Sequence, residues 1–420
     1  MAVLAVDGGE KVQKKPFPQW PKFDRLTERK VVEILRSGKV NYWTGPCGRE
    51  FEAAWAKWLG CRNAIAVSNG TAALHIALTA LGVGSGDEVI CTSYSFIASS
   101  FCALHAGAVP VFCDVGRDHL LDPAKIESLV TPRTKAIVVV HLYGMVADMD
   151  PILEVARRHG LFVVEDCAQC IGGVYKGRKA GTIGDIGCFS FCQSKQITTG
   201  GEGGMVCCND DAIAWELRSL RDHGSDVKAK LEGKSSTDAR PYSHRRVGYN
   251  FRMTEMQSAI GLGELARYDS WNLPRRRRLG KALVAALAGH PLVRFAPVDT
   301  EERQNSYWLA PFVLRTELLT VPVPQFIKAV QAEGVGAYAI FWPEMYKEAA
   351  FTERRGFGAR NYPFDDPANM GAEWSKTDCP VAREMATATI AFWTHPTYTM
   401  RHIAADVRAF ENVAAAYMKK

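Results

Sequence analysis

Short apolar runs alternate with stretches of helical periodicity between about residue 60 and about residue 210. The runs have strand length and predict seven strands, over 63–67, 88–92, 109–115, 135–141, 161–165, 185–191 and 204–208. Between them, apolar residues at helical spacing predict helices over 71–81, 96–105, 123–130 and 150–159. Strands that are apolar throughout and alternate with helices are typical of a mainly parallel sheet covered on both faces. The pattern therefore predicts an α/β fold.

The alternation stops in the second half of the chain. Residues 224–246 are polar and charged and predict a surface loop or insertion, and residues 351–379, rich in Gly, Pro, Asn and Asp, predict an extended loop. From about residue 275 the pattern is mixed α+β, without a repeated strand–helix unit. We therefore expect an N-terminal arm over 1–55, a large domain over 56–272 and a small domain over 273–420.

Composition and charge exclude several classes of protein. The 420 residues are 47% hydrophobic and 23% charged, which is ordinary globular composition and excludes disorder. The net charge of +6 is densest at the four consecutive arginines 275–278, which we interpret as a solvated helix face or a patch that meets an anionic substrate. No nucleic-acid motif accompanies them, so nucleic acid is not an expected partner. No apolar run approaches a membrane span and no signal region opens the chain, so we expect no membrane association and a cytoplasmic location.

The 12 cysteines fit a compartment in which thiols stay reduced. Cys167 and Cys170 form a C-x-x-C motif, but neither a second such pair nor a His cluster completes a zinc site, and we predict no metal. The interpretation of the two cysteines as a redox pair stays open. We favour the interpretation that both are small buried residues at the end of a strand, because buried cysteine behaves as a small hydrophobe.

A lysine and an acid give the first indication of chemistry. Lys195 lies between the strand-like run 187–192 and a glycine-rich turn, and Asp166 follows the apolar run 161–164. These are the two protein groups that pyridoxal phosphate (PLP) needs, an amine for the Schiff base and a carboxylate that keeps the pyridine nitrogen protonated. A surface lysine is the alternative, but residues 187–201 carry no other charge. Such a setting lowers the pKa of the amine and makes it nucleophilic.

Further residues suit a phosphate and a flat ring. Gly70 and Thr71 lie where a strand turns into a helix, so the free N–H groups of the first helical turn can face an anion, and Ser190 offers a second hydroxyl. An ordinary turn and N-cap is the alternative. Phe96 is placed to cover the ring or to fill the core, and Gln169 to bind the ring oxygen or to serve a turn. Asp166 is costly to bury without a cationic partner.

Five motifs together resemble the DegT/DnrJ/EryC1/StrS aminotransferases, which are PLP-dependent sugar and cyclitol aminotransferases of fold type I. The motifs are SNGTAALH at 68–75, TSYSFIAS at 92–99, VEDCAQ at 164–169, the segment 189–204 around Lys195, and GYNFRM at 248–253. The resemblance implies the aspartate-aminotransferase fold, with a large domain built on a mainly parallel seven-stranded sheet and a smaller α+β domain.

The resemblance also implies a role for each matching residue. Lys195 would bind PLP covalently, Asp166 would pair with the pyridine nitrogen, and Gln169 would bind the ring oxygen. Phe96 would stack on the ring. Asn250 would reach the phosphate of the neighbouring subunit, so the resemblance implies a homodimer with both active sites at the interface. The implied phosphate ligands within the subunit are Gly70, Thr71, Ala72 and Ser190.

The activity implied is transfer of an amino group from glutamate or glutamine to a keto group of a sugar, nucleotide-linked or not, or of a cyclitol. Such reactions serve amino-sugar and aminocyclitol biosynthesis, for antibiotics or surface polysaccharides. Lys195 favours transamination, because relatives with histidine at this position are sugar dehydratases. A PLP-dependent dehydratase, an aminoshikimate-type (3-amino-5-hydroxybenzoate) synthase and a non-catalytic regulator stay open as alternatives. Candidates for a polyol pocket, or for core packing instead, are Tyr42, Trp43, Phe341, Trp342, Trp393 and His395.

Overall fold

The computed structural model describes residues 3–231, 244–339, 342–369 and 371–419. A seven-stranded sheet in the order β1-β9-β8-β5-β4-β2-β3 forms its centre. Strand β9 is antiparallel to both of its neighbours and the other pairs are parallel, as the sequence predicts. The strands of this sheet are β1 Asn63–Val67, β2 Glu88–Thr92, β3 Val109–Cys113, β4 Thr134–Val140, β5 Phe162–Asp166, β8 Ile186–Ser190 and β9 Gly204–Cys208.

The other strands of the described residues form two smaller sheets. An antiparallel sheet in the order β10-β12-β14-β13 lies in the last third of the chain, and β11, β6 and β7 form a three-stranded sheet. Their bounds are β6 Val174–Tyr175, β7 Arg178–Lys179, β10 Val293–Phe295, β11 Arg303–Gln304, β12 Leu309–Leu314, β13 Ala337–Ala339 and β14 Thr389–Trp393. The domain boundaries at 55 and 272 stay a prediction.

Helices cover both faces of the large sheet. Alternate strand residues point to opposite faces, so Val138 shares an apolar cluster with helical residues such as Ala103, whereas Val139 shares another with helical residues such as Ile152. Across the described residues, the helices lack the combination of length and apolar character that crossing a bilayer requires. The α-helices are α1 Arg25–Ser37, α2 Cys47–Leu59, α3 Gly70–Ala80, α4 Ala98–Ala106, α5 Met149–His159, α6 Asp211–Arg221, α7 Val227–Leu231, α8 Glu255–Ala266, α9 Leu273–Leu287, α10 Val323–Ala332, α11 Ala349–Thr352, α12 Pro380–Ala388 and α13 Met400–Tyr417.

Three predictions of local structure need correction. The segment 123–130 forms two 3-10 turns rather than one helix, because so short a segment offers few helical hydrogen bonds against the cost of nucleation. In the predicted loop 224–246, burial of Val227 supports the helix α7, and residues 232–243 lie outside the described residues. The predicted loop 351–379 includes the end of α11 and a 3-10 turn, and it is anchored to the protein by the buried side chains of Phe351, Phe364 and Trp374.

The arginine run 275–278 is only in part the solvated face that the sequence suggests, since two of its four side chains are exposed. Four consecutive residues span a whole helical turn, so one of them must face the protein on a packed helix such as α9. Arg276 is that residue: it is fully buried, and its Nε donates to Asn272 Oδ1 at 2.7 Å. Arg275 and Arg277 donate to backbone carbonyls of neighbouring segments.

Asp406 is a buried acid on helix α13. Its Oδ1 accepts the N–H of Gly336 at 3.0 Å and so ties α13 to the turn before β13, while Oδ2 lacks a partner within the described part of the chain. Burial raises the pKa of Asp406 to about 8, against the hydrogen bond from Gly336, which lowers it. The folded protein therefore keeps a proton here that the unfolded chain releases near pH 4.

We expect Asp406→Asn to stabilise the protein at pH 8 and not at pH 4. Because the folded-state pKa is raised, Asp406 lowers the free energy of unfolding progressively as pH rises from about 4 to about 8. Asparagine still accepts from Gly336 and carries no charge, so the gain at pH 8 should be up to about 5 kcal/mol, since each unit of the pKa shift corresponds to about 1.4 kcal/mol. Denaturant unfolding at the two pH values measures it, with the exposed Asp365→Asn as control. An equal effect of Asp406→Asn at both pH values would contradict the assignment.

Candidate active site

A cavity of about 990 Å³ opens beyond the carboxyl ends of β4, β5 and β8, where ligands bind in parallel sheets. Asn250, the one predicted site residue that it does not include, is exposed. The predicted residues that line the cavity are Gly70, Thr71, Ala72, Phe96, Asp166, Gln169, Ser190 and Lys195.

Asp166 ends β5 and is buried at the cavity wall. Its Oδ2 accepts the hydroxyl of Ser99 at 2.7 Å, and its Oδ1 accepts the N–H of Ala168 at 3.0 Å. Burial raises the pKa of Asp166, although both hydrogen bonds and the charge of Lys195 act in the opposite direction. The described residues give this carboxyl no salt bridge, so a cationic ligand atom would stabilise its charged form.

The neighbouring acid, Glu165, serves the fold. It points to the other face of β5 and accepts His141 Nε2 at 2.8 Å and the backbone N–H groups of residues 181, 183 and 184. His141 Nδ1 accepts the N–H of Ala147 at 3.1 Å, so both ring nitrogens are held by hydrogen bonds. Burial alone would raise the pKa of Glu165, but these hydrogen bonds lower it.

The sulfur of Cys167 lies beside this pair, and the three side chains are close enough to hold a metal ion. Both imidazole nitrogens and the carboxylate are already engaged in hydrogen bonds, which is a structural arrangement rather than a set of free ligands. Cys167 and Cys170 are fully buried free thiols. Their interpretation as small buried residues is confirmed.

Lys195 lies on the irregular segment between β8 and β9, and its side chain lines the cavity. Burial lowers the pKa of the amine to about 8, although Asp166 raises it. Such an amine is largely unprotonated under mildly alkaline conditions, as the uncharged surroundings in the sequence suggest. Lys195 Nζ lies 4.2 Å from the ring centroid of Trp308, a residue that the sequence analysis did not select.

The turn from β1 into α3 forms a cradle. A Cβ on Gly70 would lie 2.8 Å from Ser190 Cβ, so only glycine allows the two segments to approach this closely. Asn69 caps the helix by accepting the N–H of Ala72 at 2.8 Å. That N–H is therefore occupied, whereas the first-turn N–H groups of Gly70 and Thr71 have no partner within the helix itself. Together with the hydroxyls of Thr71 and Ser190, they suit an anion.

Gln169 and Phe96 bound the cavity on other sides. Gln169 Oε1 accepts the N–H of Tyr143 at 3.0 Å, which orients the side-chain amide and leaves its N–H₂ group for a ligand. Phe96 is 54% exposed, so it faces the cavity rather than the core. The core role considered for Phe96 is therefore wrong.

The predicted aromatic candidates divide into two groups. Trp342 and Trp393 line the cavity, whereas Tyr42 and Trp43 hydrogen-bond to the acids Glu52 and Asp222 away from it. His395 is buried behind Trp393, and Phe341 lies outside the described residues.

Several cavity residues escape sequence reasoning. The sequence gives only a weak indication of these residues, because each lies far along the chain from Lys195 or in a segment predicted to be a loop. Examples that line the cavity are Trp308, Tyr338, Phe357 and Tyr362. Ser99, which bonds to Asp166 without lining the cavity, had a cue because it lies in the motif at 92–99.

Asn250 lies in an extended segment whose neighbours face this subunit's own cavity. Tyr249 and Phe251 line the cavity, and their rings stack at 4.8 Å. Because alternate residues of an extended chain point in opposite directions, the exposed Asn250 points away from it. The structure therefore does not bring Asn250 to Lys195 of the same subunit.

Relatives and solved structures support one family. GDP-perosamine synthase of Caulobacter vibrioides is 44% identical over 330 residues, 77% of this chain and 83% of that protein. L-Glutamine:2-deoxy-scyllo-inosose aminotransferase of Streptomyces fradiae is 35% identical over 99% of this chain and 97% of that protein. The structure of the aminotransferase from Psychrobacter cryohalolentis matches with a TM-score of 0.87 and 35% identity, over 96% of this chain and 99% of that one.

The match to a family as a whole spans most of the protein. Residues 21–369 fit the DegT/DnrJ/EryC1/StrS aminotransferase family. This range contains every predicted site residue from Gly70 to Asn250. The fold, with its mainly parallel seven-stranded sheet, is that of fold type I. The chain therefore belongs to the DegT/DnrJ/EryC1/StrS aminotransferase family.

Proposed function

We propose that the protein is a PLP-dependent aminotransferase that transfers an amino group from glutamate or glutamine to a keto sugar, nucleotide-linked or not, or to a keto-cyclitol. One observation carries the proposal: Lys195, an amine of lowered pKa, shares a cavity with the buried acid Asp166. Relatives that act in perosamine and inosose metabolism support both types of acceptor.

The side chains at the cavity fit PLP. Within the described ranges Asp166 has no cationic partner, and a protonated pyridine nitrogen would provide one. The cradle at Gly70 excludes even a Cβ, and its N–H and hydroxyl groups suit a phosphate. The amide N–H₂ of Gln169, which has no hydrogen bond to the described part of the protein, suits a ring oxygen, and the exposed face of Phe96 suits the ring.

Each group would then have one task. When bound, PLP supplies an aldehyde that condenses with primary amines and a ring that accepts an electron pair. Lys195 supplies the nucleophilic amine and, when free of the cofactor, takes and returns a proton at Nζ. Asp166, oriented by Ser99, holds the proton on the ring nitrogen. The cradle at Gly70 fixes the cofactor while the substrates exchange.

We also infer a homodimer whose two active sites lie at the interface. The exposed side chain of Asn250 supports this, because it points away from the cavity that Tyr249 and Phe251 line. In a dimer, Asn250 would donate to the phosphate held by the other subunit. We place the enzyme in the cytoplasm, in amino-sugar or aminocyclitol biosynthesis.

Lys195→Ala should abolish both cofactor attachment and amine transfer. In the wild type, borohydride reduction in the presence of PLP should label the peptide that contains Lys195. Nitrogen-15 from labelled glutamate or glutamine should appear in the product of at least one acceptor from a panel of keto sugars and keto-cyclitols. Both signals should be lost in Lys195→Ala, because no other amine in the described residues lines the cavity.

Lys179→Ala is the matched control, because Lys179 Nζ also lies 4.2 Å from a tryptophan ring, that of Trp58, outside the cavity. It should keep both signals. Label on another peptide would contradict the assignment of Lys195 as the amine that binds PLP. Labelled protein that yields only dehydrated product, without amine, would favour the dehydratase alternative, and the absence of any turnover would favour a regulator.

Ser99→Ala should shift the pH dependence of PLP binding upward. Loss of the Ser99 hydrogen bond raises the pKa of Asp166 further, so the charged carboxylate forms only at higher pH. We expect a shift of about half to one pH unit in the midpoint of PLP affinity, measured by absorbance titration. Ser100→Ala, whose hydroxyl bonds to Ile97 instead, should leave the midpoint in place. The same shift in both variants would refute the role of Ser99.

Mixing two inactive variants should restore activity if Asn250 serves the partner's site. In a mixed dimer of Lys195→Ala and Asn250→Ala subunits, one site carries both substitutions and the other has a wild-type Lys195 and a wild-type Asn250. Refolding the two variants together in equal amounts should yield about a quarter of wild-type activity, since half of the dimers are mixed and each has one intact site. Activity that stays at the average of the separate variants would contradict sharing of the site.

A further inference from the structure

Two tryptophans hold consecutive carbonyls of the segment that carries Lys195. The indole N–H of Trp308 donates to Ser194 O at 2.7 Å, and that of Trp20 donates to Lys195 O at 3.0 Å. Trp308 precedes β12, whereas Trp20 lies in the N-terminal region before α1. Two segments remote in sequence from Lys195 therefore fix its backbone from outside, and we name Trp20 and Trp308 the tryptophan pair.

The Trp308 ring also contacts the reactive end of Lys195. Nζ lies 4.2 Å from the ring centroid, within the range of a cation–π interaction. Trp308 is only 5% exposed, so its ring is held by its own packing and cannot follow a moving lysine. One side chain thus contacts the amine and the carbonyl of the preceding residue at the same time.

A chain of rings connects the two tryptophans. His395 stacks on Trp393 at 4.7 Å with an interplanar angle of 17°, and it faces Trp20 at 6.0 Å with an angle of 18°. Trp393 in turn meets Trp308 edge to face at 5.6 Å. Burial lowers the pKa of His395, and the nearby Arg276 lowers it further, so a neutral ring stacks between the indoles. The tryptophan pair therefore forms part of one continuous contact.

Core packing alone does not require this arrangement. A buried indole needs a hydrogen-bond acceptor, but any nearby carbonyl would serve, as Pro110 O does for Trp374 at 2.8 Å. Here both acceptors belong to adjacent residues of one short segment, and one of those residues carries the amine in the cavity. The coincidence of both bonds with the ring contact to Nζ points to a function for this segment.

We propose that Trp20 and Trp308 are positioning residues for Lys195, which hold its backbone at consecutive carbonyls and direct its amine along the Trp308 ring into the cavity. The inference rests on the proposed function, because that function makes Lys195 the reactive amine. Trp20 thereby acts on the site through the backbone of Lys195, although it does not line the cavity.

The first test measures the rate at which PLP is trapped by borohydride on Lys195, resolved by peptide mapping. Trp20→Phe and Trp308→Phe each keep a ring and lose the indole N–H, so we expect trapping to slow by about three- to tenfold. Trp374→Phe is the matched control, since it loses a comparable buried hydrogen bond away from the cavity, and it should trap at the wild-type rate. Thermal unfolding of all variants reports the loss of stability separately.

A second test needs no cofactor. In cofactor-free protein, acetylation of Lys195 by acetic anhydride is followed across pH by mass spectrometry, with Lys179 as internal reference. Trp308→Phe and Trp308→Leu both lack the N–H, and only Phe offers a ring face to the ammonium. The midpoint for Lys195 should therefore lie about half a pH unit lower in Trp308→Leu than in Trp308→Phe.

The outcomes separate the two proposals. Wild-type rates of trapping in both Phe variants, an equal slowing in Trp374→Phe, or identical acetylation midpoints in Trp308→Leu and Trp308→Phe would each overturn the positioning role. If the wild type traps no PLP on Lys195, the proposed function fails, while the acetylation midpoints still decide whether the Trp308 ring acts on the amine.

Discussion

The site depends on one buried carboxylate, Asp166, with which no cation pairs among the residues that the structure describes. An unpaired charge at the end of a buried strand costs several kcal/mol, so the protein must surround Asp166 with donors or supply a ligand that completes it. Ser99 at the start of α4 and the backbone N–H of Ala168 give two hydrogen bonds, which leave the pKa raised.

Adjacent acids on β5 show how strand geometry divides structure from chemistry. Glu165 and Asp166 point to opposite faces of the sheet because side chains alternate along a strand. Glu165 receives a histidine and three backbone N–H groups and has a lowered pKa, whereas Asp166 receives two donors and has a raised one. The identity and the spacing of the two residues do not show which acid serves the fold and which lines the cavity. The number of hydrogen-bond donors on each face of the sheet distinguishes them.

The sequence predicts the large sheet well and the walls of the cavity poorly. Strands β1, β2 and β9 have the predicted bounds, since continuous apolar runs between glycines and helices are a strong local signal. The motif residues meet in one cavity because strand ends of a parallel sheet converge at one edge. Local patterns cannot show contacts made across the chain, such as those of Trp20 and Trp308 with the Lys195 segment. The sequence does not indicate the burial of Arg276 for a related reason. Four consecutive arginines suggest an exposed charged segment, although their positions around a helix require that one of them faces the protein.

The loop 351–379 contains two kinds of side chain, those that anchor it in the core and those that line the cavity. Phe351, Phe364 and Trp374 fix it in the core, while the half-exposed rings of Phe357 and Tyr362 reach the cavity from between these anchors. Substitutions at the two ring positions would reshape the cavity wall without disturbing the anchors or the residues around Lys195. Changes in this loop can therefore alter the shape of the cavity while the residues at the sheet edge keep their arrangement.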